Sequence, residues 1–278
     1  MTEPQSVSMD DIRSIHMIGV GGSGMSGLAK LLAQRGIAVS GSDLKPSYIV
    51  DALAGVGVET WIGHQPERIG AVDVVVASSA VPDNDPELRS ARAAGITTAR
   101  RPALLHGVTD AVSTIGFSGT HGKPSSTAMA VAALRACGLD PTFIVGGELT
   151  DLNTGAHLGD RETLLLEADE AFGTFRHLEI AALGVTNIEA DHLDYYRTVT
   201  ALEEAFAQVA QRTRGPVVGC IDDPGVRRLA ERAPVIGYGM SEDAVWRVSD
   251  VDLGSTTAFT LGRNGRAHRV SLHQPGHH

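Results

Sequence analysis

The stretch Ile15-His16-Met17-Ile18-Gly19-Val20-Gly21-Gly22-Ser23-Gly24-Met25-Ser26-Gly27 decides how the chain begins to fold. The apolar run from Ile15 to Val20 breaks at Gly21 to Gly24. Met25 to Gln34 then carries Leu28, Leu31 and Leu32 at helical spacing. Strand, glycine turn and helix in that order open an α/β unit. The spacing Gly19-x-Gly21-x-x-Gly24 lets a pyrophosphate approach the backbone at a helix N-terminus. The same glycines would also permit simple close packing of helix on strand. Further on, Ala38 to Ser40 opens a second strand that ends at Gly41-Ser42-Asp43, where an acidic side chain commonly meets a ribose hydroxyl. The motif alone leaves NAD and a UDP-sugar equally open, because both carry a pyrophosphate.

The alternation continues outward. Val72 to Ala77 reads as a buried strand, and Pro86 to Ala94 as a helix closed by Gly95. This is the pattern of a parallel sheet with helices on both faces. Near His106 to Ala111 the pattern restarts, which places a domain boundary at residues 108–112.

After that boundary, Thr114 to Phe117 runs into Gly119-Thr120-His121-Gly122-Lys123, and a helix follows through Cys137. A loop of this kind cradles phosphates with backbone amides, and its lysine neutralises charge on a transferred γ-phosphate. One position departs from that chemistry. Ser or Thr belongs after the lysine, to offer a hydroxyl to Mg2+, but the residue is Pro124, which lacks that hydroxyl and a backbone N–H. Proline is sterically welcome in a first helical turn, and Ser125 is the nearest substitute hydroxyl.

Further strands are expected at Thr163–Leu166, Ile180–Val185 and Val217–Cys220. An amphipathic helix with Val199, Leu202, Phe206 and Val209 on one stripe lies between the last two. Glu167 and Asp169–Glu170 follow the first of these strands, and Asp191-His192 follows the second. Two strand ends presenting Glu167 and His192 could hold Mg2+ or Mn2+ near the lysine loop. A hairpin is expected around Asn264-Gly265, between Phe259–Leu261 and Val270–Leu272.

Composition removes several classes. The formal net charge is −10 with no run of Lys or Arg, which argues against nucleic acid or an anionic membrane as the main partner. Cys137 and Cys220 have no metal-type spacing. The polar start from Met1 to Asp11 is no signal peptide, and no apolar run reaches the length of a membrane span. The expected location is the cytoplasm.

Taken together, these segments resemble the Mur ligases, in matching order from about residue 15 to residue 278. The resemblance rests on the Gly19 to Gly27 loop, Ser40-Gly41-Ser42-Asp43, Gly119-Thr120-His121-Gly122-Lys123 and Glu167-Ala168-Asp169-Glu170. It rests also on Thr186-Asn187-Ile188-Glu189-Ala190-Asp191-His192. Met25-Ser26-Gly27 and the Asn187 to Asp194 run are most similar to the L-alanine-adding branch, and less so to the branch that recycles murein tripeptide.

The resemblance implies a Rossmann-like UDP-sugar-binding domain over residues 12–108 and a P-loop α/β ATP-binding central domain over residues 110–275. It implies that Gly21, Gly22, Ser23, Gly24, Met25, Ser26 and Asp43 meet the UDP-sugar. Gly119, Thr120, His121, Gly122, Lys123, Pro124 and Ser125 would meet ATP. Lys123, Glu167 and His192 would be catalytic, and Glu167, His192 and Ser125 would hold the metal. The implied reaction joins L-alanine to the lactyl carboxylate of UDP-N-acetylmuramate through an acyl phosphate, with ATP spent.

Three departures accompany the resemblance. Pro124 stands for the family's threonine, and Ala171-Phe172 for a Ser-Asp pair. Pro275-Gly276-His277-His278 resembles the lead into a third domain, so the expected chain lacks that domain. A binding module without catalysis is the alternative these departures raise. An NAD-dependent oxidoreductase is the third reading, and the lysine loop speaks against it.

Overall fold

The computed structural model describes residues 7–160 and 163–272. The expectation attached to Pro275-Gly276-His277-His278 falls outside them. The described chain separates into two compact units. One gathers the chain up to Ser113 with Ala128–Leu166 and His177–Glu179. The other gathers Thr114–Thr127, Glu167–Arg176 and the chain from Ile180 onward.

The first unit opens with β1 (Ser14–Ile18), α1 (Ser23–Gln34), β2 (Ala38–Asp43), α2 (Tyr48–Ala54), β3 (Glu59–Ile62), β4 (Val74–Ala77), α3 (Pro86–Ala93), β5 (Thr97–Arg100) and α4 (Arg101–Asp110). Its five strands are all parallel, in the order β3-β2-β1-β4-β5. The chain winds outward in one direction from β1 to β3 and in the other from β4 to β5. A crevice therefore falls between the carboxyl ends of β1 and β4, where doubly wound sheets receive their ligands. Val75, Val76 and Ala77 of β4 are fully buried, and Val75 and Ala77 fill one face of the sheet with Ile18, Leu88 and Ala91. Leu28, Leu31 and Leu32 are buried as the helical spacing requires.

Helix entries are set by local chemistry. Ser47 caps α2 by accepting from the Val50 amide. Asp85 caps α3 by accepting from the amides of Glu87 and Leu88, with Pro86 at the first helical position. By contrast, α1 has Gly22 at its cap and no side-chain partner there.

The chain then forms β6 (Ser113–Ser118), α5 (Lys123–Ala136), β7 (Thr142–Leu149), β8 (Thr154–His157), β9 (Thr163–Glu167), β10 (Ala182–Val185), α6 (Leu193–Tyr196), α7 (Val199–Arg212), β11 (Val217–Cys220), α8 (Pro224–Ala230), β12 (Ile236–Gly239), β13 (Trp246–Leu253), β14 (Thr257–Arg263) and β15 (Arg266–Leu272). Strands β7 and β8 pair antiparallel, and β7 lies parallel to β9. In the second unit β6, β10, β11, β12 and β13 run parallel in that order, and β14 and β15 extend them as an antiparallel meander. Asn264 and Gly265 turn β14 into β15, both at positive φ (50° and 74°), as the hairpin expectation requires. Leu202, Phe206 and Val209 of α7 are buried, and Phe206 meets Phe175 edge-on at 5.0 Å.

Three strands are shorter than their apolar runs, and Val20 lies outside β1. Val72 and Ile180 lie outside β4 and β10, although Ile180 O still accepts from the Arg214 amide at 3.0 Å.

Candidate functional site

The first glycine loop hangs from the end of β2. Ser42 O accepts from the amides of Gly19 (2.8 Å) and Val20 (3.0 Å), and Asp43 Oδ2 accepts from the Gly21 amide at 2.9 Å. Asp43 Oδ1 accepts from the Lys45 amide at 3.2 Å. The carboxylate expected at a ribose thus also fixes the shape of the glycine turn. Ser23, Gly24, Met25 and Ser26 form the first turn of α1; the Met25 and Ser26 amides both donate to Gly22 O at 2.9 Å, so the amides that lead the helix ahead of its ladder are those of Ser23 and Gly24. Such amides suit an anion.

Beneath this loop lies a polar cluster that the sequence did not reveal. Glu87 is fully buried, and its carboxylate accepts from Ser42 Oγ, Trp61 Nε1 (3.0 Å) and the Gln65 amide (3.0 Å). His16, also fully buried, stacks on Trp61 at 4.8 Å with its Nε2 3.7 Å from Glu87 Oε2. Burial alone would push the Glu87 carboxyl up. The His16 ring, the Ser42 hydroxyl, the Gln65 amide and the Trp61 indole overcome it and hold the group at about 2. Glu87 therefore stays charged and holds Ser42, whose carbonyl holds the loop. His64, Asp85 and Glu87 bring ligand atoms within 4.8 Å of one another. With three donors already on its carboxylate, however, Glu87 reads as a satisfied structural acid rather than a metal ligand.

The second loop, from β6 into α5, is tied differently. Gly119 has φ 132°, and a Cβ there would sit 2.1 Å from Thr186 Oγ1, so the turn needs glycine. The Thr120 amide donates to Asn187 O (3.1 Å), and the His121 amide to Asn187 Oδ1 (2.8 Å). Thr186 Oγ1 and Asn187 Nδ2 donate in return to His121 O, at 2.6 and 3.0 Å. Gly122 leads into α5, which starts at Lys123. Pro124 and Ser125 lie exposed in its first turn.

Lys123 Nζ donates to Gly119 O (2.7 Å) and to both Glu170 oxygens (3.0 and 2.9 Å), and stands 3.5 Å from Asp169 Oδ1. Glu170 is only 1% exposed, and burial pushes its carboxyl above the ordinary range against the pull of Lys123. The Tyr196 hydroxyl donates to Glu170 O at 2.6 Å, and burial raises the Tyr196 phenol as well.

Asp169, Glu170 and His192 bring ligand atoms within 4.8 Å of one another. The two carboxylates suit Mg2+ or Mn2+, and the imidazole is an acceptable though less usual third ligand for magnesium. Glu167 closes β9 and is not part of that group. The next residue, Ala168, donates its amide to Phe117 O at 2.8 Å. The structure therefore brings Lys123 and His192 to the same acidic pair, Asp169 and Glu170, and leaves Glu167 beside it. Ala171 and Phe172 follow directly. Phe172 is 67% exposed at φ 54° and meets Tyr195 edge-on at 6.1 Å.

A glycine loop after β1 and a lysine-bearing loop after β6, each leading into a helix, define the class: an α/β protein built on two strand–glycine loop–helix units. The chain belongs to the Mur ligase family. Residues 14–112 match the Mur ligase family catalytic domain, and residues 117–278 match the Mur ligase middle domain. It is 41% identical over 272 residues to the UDP-N-acetylmuramate–L-alanine ligase of Solidesulfovibrio magneticus, covering 96% of this chain and 60% of that relative. Against the ligase of the same name from Mycolicibacterium gilvum the identity is 40%, covering all of this chain and 62% of the relative. The crystal structure of the UDP-N-acetylmuramate–alanine ligase of Thermotoga maritima superposes with a TM-score of 0.82 at 25% identity, covering 95% of this chain and 61% of that one. A UDP-N-acetylmuramate:L-alanyl-γ-D-glutamyl-meso-diaminopimelate ligase from Neisseria shares the fold at a TM-score of 0.82 and 22% identity, covering 95% of this chain and 89% of that one. The chain thus spans about 60% of the length of the curated relatives. Among the described residues no helix is long and apolar enough to cross a membrane.

Proposed function

We propose that the chain is the sugar-nucleotide- and ATP-binding part of a ligase that joins L-alanine to UDP-N-acetylmuramate. The observation that carries this reading is Lys123, held at the head of α5 against buried Glu170, in a chain that also keeps an uncapped glycine loop at α1. In this reading residues 12–108 take the UDP-sugar and residues 110–275 take ATP. The amides of α1 seat the diphosphate, while Asp43 shapes the turn and faces the ribose. Lys123 leaves Glu170 and meets the phosphates as the lactyl carboxylate attacks the γ-phosphorus and ADP departs with the bridging oxygen, leaving an acyl phosphate, so the lysine charge opposes the negative charge growing there. The amine of L-alanine then displaces phosphate from the acyl carbon, giving the amide. Asp169, Glu170 and His192, with Glu167 beside them, are the residues to hold Mg2+ or Mn2+. When bound, the cation would neutralise phosphate oxygens.

Pro124 favours a second reading, in which the same sites bind both nucleotides without turnover. Nucleic acid and membrane are not partners in either reading. Calorimetry tests the proposal: the chain should bind UDP-N-acetylmuramate and ATP and ignore NAD. Tight NAD binding with no response to the UDP-sugar would move the assignment to the oxidoreductases.

A further inference from the structure

A cavity of about 190 Å³ opens between α1, α2 and the β7–β8 hairpin, and every residue around it belongs to the first unit. Ile49, Ala52, Leu53 and Val56 of α2 form its apolar wall, with Val145 and Ala156 of the hairpin. Gly27 brings α1 close. A Cβ there would lie 3.0 Å from Ile144 Cγ2 and 3.5 Å from Ala156 Cβ, so the helix runs directly against both strands. The register of β7 on β8 shifts between Ile144 and Leu149, and the residues between, Val145 to Glu148, all line the cavity. Irregularities of this kind are over-represented beside functional sites, where they re-aim side chains.

Two opposite charges stand at this wall. Lys30 of α1 donates to Thr154 Oγ1 at 2.6 Å, and the Thr154 hydroxyl donates in turn to Ala156 O at 2.8 Å. Among the described residues Thr154 is the one hydrogen-bond partner of the Lys30 ammonium, which carries three N–H groups. Burial pulls that ammonium below its ordinary range, and the Glu148 carboxylate pulls it back up. Glu148 lines the same cavity from β7 and is exposed. A partly desolvated ammonium with N–H groups to spare favours a carboxylate. A simple anion would also meet Glu148, which opposes it. A ligand with both a carboxylate and an ammonium satisfies both groups, and an apolar tail covers the wall. Apolar cavities of about 150 Å³ admit benzene, so a four-carbon side chain fits here. The single methyl of alanine would leave most of the wall uncovered.

We infer that this cavity is a binding site for an α-amino acid with a branched apolar side chain, its carboxylate on Lys30 and its ammonium on Glu148. The inference stands on the first unit alone and goes beyond the ligase reading, whose amino acid is L-alanine. The test follows titrations by NMR with L-leucine and two analogues of its skeleton. These are 4-methylpentanoate, which lacks the ammonium, and 3-methylbutylamine, which lacks the carboxylate. Each analogue should bind about ten- to a hundredfold more weakly than L-leucine, through loss of one charge-assisted contact. L-Alanine, with three fewer carbons to bury, should be weaker by about ten- to fiftyfold. Lys30→Met should weaken L-leucine yet hold 3-methylbutylamine at least as well as wild type does. Glu148→Gln should weaken L-leucine yet hold 4-methylpentanoate at least as well. A loosened fold would not give that crossed pattern, and Glu148 is exposed, so its replacement leaves the packing intact. No saturable response to L-leucine, or equal binding of L-leucine and both analogues, overturns the inference. Displacement of L-leucine by UDP-N-acetylmuramate would make the cavity an arm of the sugar-nucleotide site, with which it shares Ser26, and would overturn a separate amino-acid site. Failure to bind that sugar nucleotide at all would sink the ligase reading and leave this one standing.

Discussion

The two glycine loops share a local logic and are stabilised in opposite ways. The loop before α1 is held from behind: Ser42 and Asp43 grip Gly19, Val20 and Gly21, and the helix N-terminus carries no cap. The loop before α5 is held from in front. Asn187 takes the amides of Thr120 and His121, and Glu170 takes the ammonium of Lys123. In the first loop no side-chain cap has to leave before an anion can approach the start of α1. In the second, the nucleotide must displace partners that belong to the protein. Preorganisation and self-occupation are thus alternative solutions to the same problem of unsatisfied donors.

Removing the ammonium from the second loop should have the largest effect on stability. Lys123→Met leaves Glu170, 1% exposed, without its cation, and should destabilise the protein by about 3–5 kcal/mol in urea unfolding near neutral pH. The gap should narrow in acid, where Glu170 takes a proton, and Glu170→Gln added to Lys123→Met should recover much of it. An unchanged midpoint in Lys123→Met would mean that the pair is not a structural lock, and the contrast between the loops would lose its basis.

The prop under the first loop should come next. The Glu87 carboxyl is depressed from 4.5 to about 2, a difference that corresponds to on the order of 3 kcal/mol. A depressed carboxylate contributes stability that is present above its unfolded pKa and lost as pH falls through the folded one. The gap between wild type and Glu87→Gln should therefore be full at pH 6 and close between about pH 4.5 and 2. A gap that stays constant down to pH 2 would show that hydrogen-bond geometry, not charge, holds Ser42.

The smallest change sharpens the contrast most. Pro124→Thr restores an amide and a hydroxyl to the first turn of α5 and should strengthen Mg·ATP binding about tenfold or more, with a lesser gain in EDTA. Equal ATP affinities for parent and variant, with and without magnesium, would mean that exposed Ser125 already serves in that place.

Much of the fold is legible because short-range patterns carry it. Leu28, Leu31 and Leu32 declare α1, and Asn264-Gly265 declares the hairpin of β14 and β15. Helix α2 went unread although Ser47 before Tyr-Ile-Val-Asp is a usable cap signal, because seven residues hold too few apolar repeats. The sites are less legible. Glu167, Asp169 and Glu170 are equivalent acids in the sequence, and only the fold turns Glu170 inward to Lys123. Asn187 reaches His121 and Arg101 reaches Gly24 over 66 and 77 positions, which no local pattern encodes.

The strand order of the first unit also sets a timetable. β1 pairs with β2 and β4, yet Ala77, which closes β4, is made about sixty residues after Ile18. At roughly 5–20 residues per second, the ribosome leaves β1 waiting about 3–12 s for that neighbour. During that interval Ile15, Met17 and Ile18, all buried in the finished protein, lack half of their sheet. Arg101 emerges later still, so its hydrogen bond to Gly24 forms only after the whole five-stranded sheet has left the peptidyl-transferase centre. For a nascent chain, the first segment synthesised is among the last to be finished.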